Sequence, residues 1–121
     1  MRRHALRQLQ DLPVLHSGSV VTAGVFDGLH LGHVAILQRL RDAAREHGLP
    51  SACVTFWPHP RSVLRGEAPR HILSLEHRLE LLARQGVDDT VVIEFSHDFA
   101  AVEPETFVEQ LLVRRLGCRE L

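Results

Sequence analysis

Two periods of apolar spacing alternate along this chain. Val20-Val21-Thr22-Ala23-Gly24-Val25-Phe26 is an almost unbroken apolar and β-branched run, the pattern of a strand covered on both faces as in a parallel sheet. From about Gly32 the spacing becomes helical. Ile36, Leu37, Leu40, Ala43 and Ala44 recur on one side, while Gln38, Arg39, Arg41, Asp42, Arg45 and Glu46 form a solvated face, and Gly48 stands where a glycine closes a helix. Ser51 to Trp57 predicts a second strand. Leu75 to about Gln85 predicts a second helix, with Ser74 as N-cap, Leu75, Leu79 and Leu82 on its apolar face and Gly86 as terminator. A third strand follows at Thr90 to Phe95, then a one-turn or irregular segment from Ser96 to Val102. Pro104 suits the first residue of a helix whose apolar face is Phe107, Val108, Leu111, Leu112 and Leu116, and Gly117 ends it. Cys118 to Leu121 begins a fourth strand. Ahead of all this, residues 5–13 read as a short lead-in element, and Ser17-Gly18-Ser19 turns the chain into the core strand.

Strand, helix and strand in this order imply an α/β fold built on right-handed βαβ units, which place ligands beyond the carboxyl ends of the strands. The turn after Phe26 and Pro58-His59-Pro60 then share one edge. Residues 58–73 have no periodicity, contain three prolines and include His59, Arg61, Arg65, Arg70 and His71. Such a length without an element reads as a substrate-side flap. Phe56 and Trp57 point to opposite faces by strand alternation, so either ring could meet a planar ligand or simply pack the strand.

Composition narrows the class. The chain has 121 residues, 45% of them hydrophobic, and this is enough for one core. A formal net charge of −1 and a pI near 6.7 supply no basic field for nucleic acid. All fourteen basic residues are arginine, so phosphate must be met by arginine, histidine or backbone N–H groups. Cys53 and Cys118, far apart, fit a reducing cytoplasmic compartment and no disulfide framework, and Cys53 reads as a small core residue. The sequence contains neither a signal-peptide pattern nor an apolar run long enough to span a membrane.

The candidate chemistry lies in Gly24-Val25-Phe26-Asp27-Gly28-Leu29-His30-Leu31-Gly32-His33. Gly24, Gly28 and Gly32 remove a Cβ where backbone turns tightly or a ligand comes close. A strand, a glycine turn and a helix start together favour an anion, and phosphate is the natural guest. His30 and His33, three residues apart, can face the same anion and stabilise charge on its oxygens. The alternatives are a pair that caps and packs the turn, or a metal site. Zinc normally takes three or four protein ligands, which this pair does not supply.

This stretch resembles the G-x-F-D-G-x-H-x-G-H signature of the nucleotidyltransferase superfamily. Val54-Thr55-Phe56-Trp57-Pro58-His59-Pro60-Arg61 is similar to the V-T-F-x-P-H-P segment of prokaryotic FAD synthetases, the bifunctional riboflavin kinase/FMN adenylyltransferases, and Leu75 to Val87 is similar to their L-E-x-K-L-x-L-L-x-x-x-G-V helix. The resemblance implies a Rossmann-like sandwich with a mainly parallel sheet. Residues 1–121 would form the N-terminal part of an FMN adenylyltransferase domain, without a riboflavin kinase domain. The family's domain continues with a further strand, a flavin-side loop and a Ser/Thr-rich, Arg-containing nucleotide motif, so the remaining C-terminal part would be a partner of this one.

The implied reaction joins FMN and ATP to give FAD and pyrophosphate, with Mg²⁺ accompanying ATP and no metal held by the chain itself. His30 and His33 would carry charge at the α-phosphorus. Gly24, Val25, Phe26, Asp27, Gly28, His30, Gly32 and His33 would bind ATP, and Thr55, Phe56, Pro58, His59 and Pro60 would bind FMN. Val25 stands where the family often has asparagine, at the loss of a possible polar contact. Two other readings share the histidine turn: a cytidylyltransferase-like enzyme, and a non-catalytic nucleotide-binding fragment.

Overall fold

A computed structural model describes residues 1–7, 12, 14, 18–26, 31–57, 64–66, 74–113 and 116–120, with backbone alone for 31, 32 and 118–120. The elements are β1 (Arg2–Leu6), β2 (Ser19–Ala23), α1 (Leu31–His47), β3 (Ser51–Trp57), α2 (Leu75–Arg84), β4 (Asp89–Glu94), α3 (His97–Ala100), α4 (Pro104–Phe107) with a π-helical continuation at Val108–Val113, and β5 (Cys118–Glu120). All five strands run parallel in one sheet, in the order β1-β4-β3-β2-β5.

Local signals explain where the elements stop. α1 ends in a Schellman motif: Gly48 takes a φ of +64°, its N–H reaches the Arg45 carbonyl at 3.2 Å, and the Leu49 N–H reaches that of Ala44 at 2.9 Å. Ser74 caps α2, its hydroxyl accepting the His77 N–H at 3.1 Å, and Gly86 follows with a φ of +84°. Pro104 opens α4, and Gly117, with a φ of +63°, precedes β5.

Four expectations need correction. The lead-in at residues 5–13 instead starts inside a strand, β1, that begins at Arg2, runs through Leu6 and pairs with β4. Side-chain contacts hold it: Arg2 and His4 meet Asp89 at 3.0 and 3.2 Å, Arg3 meets Glu76, and Arg7, just beyond the strand, meets Glu94. The core strand β2 stops at Ala23, three residues before Phe26. Ile36 and Val108, expected on apolar faces, are exposed, and the π-helical turn accounts for Val108 by rotating the stripe toward Leu111 and Leu112. Arg41 is not on a solvated face: it is half-buried and donates to the Gln85 carbonyl at 3.0 Å, tying α1 to the end of α2.

Strand alternation sorts the core into two layers. Val21, Ala52, Val54, Val91 and Ile93 pack against Leu111, Leu112 and Leu116, whereas Val20, Cys53 and Val92 pack under Leu37, Leu40, Leu79 and Leu82. Helices therefore cover both faces, giving the three layers of the expected Rossmann-like sandwich. Cys53 is fully buried, and burial pushes its thiol from the ordinary 9.0 up to about 12, against the pull of the Arg78 guanidinium. From β2 the chain winds through β3 to β4, then returns to add β5 on the other side of β2. The carboxyl end of β2 is the point where connections leave in opposite directions, the place where open α/β sheets form a ligand crevice.

Candidate functional site at the carboxyl edge of the sheet

β2 delivers the glycine-histidine turn to that crevice. The Gly24 N–H still bonds the Val54 carbonyl at 2.9 Å, so the turn leaves the sheet from a fixed point. Phe26 then adopts a φ of +56°, a left-handed conformation that costs a non-glycine residue about 1 kcal/mol. A Cβ on Gly24 would stand 3.0 Å from the Phe26 ring. Gly24 is thus glycine for a reason internal to the chain: it makes room for Phe26, which is almost fully buried. The Phe26 ring in turn meets the ring of His33 edge-on, with centroids 5.2 Å apart. His33 lies in the first turn of α1, where backbone N–H groups lack helical acceptors and no acidic residue occurs. An imidazole fixed by an aromatic edge at a helix N-terminus can donate to an anion held there. Asp27, Gly28 and His30 lie outside the described residues, so the spacing of the two histidines carries that part of the reading. Gly32 is described by its backbone in α1.

At the carboxyl end of β3 the neighbouring side chains divide by face. Phe56 joins the layer of α3 and α4, and Trp57 the layer of α1 and α2. Phe56, Phe95, Phe99 and Phe107 form a cluster of rings with centroids 5.8–6.1 Å apart. Around them, with Leu64 and Pro104, lies an apolar cavity of about 310 Å³. A larger groove of about 450 Å³ runs along β2 and α1 past Ile36 and Arg39. The aromatic cavity is the better match to a planar hydrophobic ring system, since aromatic walls stack or meet it edge-on. Of the expected flavin residues, Phe56 lines this cavity, and Pro58, His59 and Pro60 lie outside the described residues. Thr55 does not reach the surface. It is fully buried, with its hydroxyl donating to the Val25 carbonyl at 2.7 Å, so it supports the site from beneath.

Sequence reasoning passed over Phe95, Phe99 and Phe107 as cavity walls, and also Arg78. Arg78 is fully buried on α2; its Nη1 donates to Thr55 Oγ1 at 3.2 Å and to the Phe56 carbonyl at 2.9 Å, and its guanidinium lies 5.2 Å from the centre of the Trp57 ring. The signal was present. Leu75, Arg78, Leu79 and Leu82 share the i, i+3, i+4, i+7 stripe, so a cation interrupts an otherwise apolar face.

Comparison with known proteins matches the sequence that builds this site to a family. The FAD synthetase family matches residues 12–121. The bifunctional riboflavin kinase/FMN adenylyltransferase of Pseudomonas fluorescens is 38% identical over 116 residues, 96% of this chain and 37% of that protein. The protein of the same name from Escherichia coli strain K12 is 38% identical over 105 residues, covering 86% of this chain and 34% of its own length. This chain therefore spans just over a third of the length of these relatives. A solved structure described as a macrolide-efflux protein from Streptococcus pneumoniae superposes with a TM-score of 0.83 at 28% identity, covering 98% of this chain and 41% of the other. Among the described residues no helix is long and apolar enough to cross a membrane. With the match running from Leu12 through the glycine-histidine turn to the last residue, the chain belongs to the FAD synthetase family.

Proposed function

We propose that this chain provides the nucleotide-binding turn and the flavin-facing wall of an FMN adenylyltransferase, which transfers AMP from ATP to FMN and releases pyrophosphate. The observation that carries the reading is the shared edge. A histidine at a helix N-terminus and an aromatic cavity both open beyond the carboxyl ends of β2, β3 and β4, one suited to phosphate and the other to a flat ring. The FMN phosphate is already an anionic nucleophile, so the reaction asks for positioning and charge stabilisation rather than a strong base. His33, with His30, would donate to the oxygens on the α-phosphorus as pyrophosphate departs. Gly24, Val25, Phe26, Asp27, Gly28 and Gly32 would shape the nucleotide side. Phe56, with Pro58, His59 and Pro60, would face the flavin.

Mg²⁺ would enter with ATP and neutralise phosphate charge, held largely by phosphates and water. Among the described residues no three His, Cys, Asp or Glu side chains are grouped as a metal site. A cytoplasmic location suits these substrates and the two distant cysteines.

The test joins residues 12–121 to the remainder of the Pseudomonas fluorescens relative and follows loss of flavin fluorescence together with pyrophosphate release. Turnover of ATP and FMN is expected, and His33→Ala should lower it by roughly 10²–10³-fold, the scale for one preorganised donor to a developing anion. Activity confined to CTP, or a His33→Ala variant as fast as its parent, would refute the proposal. The 121-residue chain by itself should bind ATP weakly and form no measurable FAD.

A further inference from the structure

Burying a guanidinium is costly, and a leucine would continue the apolar stripe of α2 without that cost. The fold nevertheless places Arg78 there, and its hydrogen bonds run to β3. Arginine only donates, so the Thr55 hydroxyl must accept from it, and the single hydroxyl hydrogen is left for the Val25 carbonyl. Val25 stands one residue before the left-handed Phe26, whose ring meets the His33 imidazole. A continuous line of contacts therefore runs from α2, through the carboxyl end of β3, to the turn and the start of α1. Arg78 also fixes the Phe56 carbonyl, and Phe56 walls the aromatic cavity.

We propose that Arg78 is a positioning residue: acting through the Thr55 hydroxyl, it sets the Val25-Phe26 turn against which His33 is held, and through the Phe56 carbonyl it ties that turn to the flavin-facing end of β3. This rests on the reading of the turn as a nucleotide site, but the contacts themselves do not. Removing the Thr55 hydroxyl cuts the line in the middle. Thr55→Val keeps the side-chain shape and leaves the Arg78 contacts with Phe56 and Trp57 in place. Arg78→Met keeps the stem and removes both hydrogen bonds and the stacked cation.

The experiment uses the 121-residue chain and three measurements: emission of Trp57, which is the single tryptophan; the NMR signals of the Phe26 amide and the His33 ring; and ATP affinity, from titration of those signals. Both variants should shift the Phe26 and His33 signals, and each should weaken ATP binding about tenfold, the equivalent of one buried hydrogen bond. The double variant should bind ATP no more weakly than Arg78→Met alone, because the Thr55 change breaks a line that Arg78→Met has already broken. Trp57 emission should change in Arg78→Met and remain as in the parent in Thr55→Val. A residue that merely fills α2 would lower the unfolding midpoint while leaving the Phe26 and His33 signals of the folded protein where they were. Unmoved Phe26 and His33 signals in Thr55→Val, or losses of ATP affinity that multiply in the double variant, would overturn the proposal. If the parent chain shows no ATP-dependent shift, the nucleotide reading fails, and the Phe26 and His33 signals still decide whether Arg78 sets the turn.

Discussion

Alkaline pH should unfold this protein through one thiol. Cys53 lies in the layer between β3 and α2, and burial holds its thiol at about 12 against an ordinary 9.0. Between those values the native thiol keeps its proton while the unfolded chain loses it, so the native state binds more protons and stability must fall as pH rises. The contribution is complete below pH 9 and is lost progressively toward pH 12. The slope is about 1.4 kcal/mol per pH unit, or about 4 kcal/mol across the window, a large part of the 5–15 kcal/mol that holds a typical domain. The composition makes the measurement unusually clean. The chain contains no tyrosine, and its fourteen basic residues are all arginine, which does not titrate in this range. With Cys118→Ser as background, Cys53 is the one side chain of its kind left to ionise. Urea unfolding followed by Trp57 emission at pH 8, 9, 10 and 11, under reducing conditions, should show a flat limb and then the predicted decline. Cys53→Ala in the same background should start about 1–2 kcal/mol lower for its cavity and lose the decline. An equal decline without Cys53 would refute the reasoning.

Two further substitutions test packing around the site. Gly86→Ala must hold a φ of +84° with its new methyl 3.1 Å from Arg41 Cδ, whereas Gly48→Ala holds +64° in open space; both should lose about 1 kcal/mol by urea denaturation, with Gly86→Ala losing more. Equal losses would mean that Arg41 yields freely. Phe99→Ala removes ring contacts to Phe56, Phe95 and Phe107 and should cost about 2–3 kcal/mol in the same assay, below the range for a fully buried phenylalanine because Phe99 is half-buried. A cost under about 0.5 kcal/mol would show that the rings do not pack together in solution.

The elements that sequence reasoning placed well are those stated by strong local chemistry. Ser74 and Gly86 bracket α2, and Gly48 closes α1, because a cap hydroxyl and a left-handed glycine act within one turn of chain. β1 escaped because Arg2-Arg3-His4 has no apolar run. An edge strand pairs on one side only and can be held by ion pairs across distant sequence, to Asp89, Glu76 and Glu94, which no local window contains. The π-helical turn after Phe107 is likewise a tertiary compromise: it brings Leu111 and Leu112 into the core and sends Val108 outward. At the site, the glycine-histidine motif was readable from spacing. The role of Thr55 beneath it was not, since that role depends on Arg78 arriving from a different helix.

The register of β1 sets an order on assembly. Arg2 stands opposite Asp89, 87 residues later, so β1, which precedes β2 in the chain, has no place to bind until β4 has been made. Closing so long a loop costs more entropy than joining β2 to β3 across α1. The β2-α1-β3 unit, which holds the histidine turn, can therefore form while the N-terminal arginines are still in water. The ion pairs to Asp89 then act late, as a latch on a sheet whose carboxyl edge is already shaped.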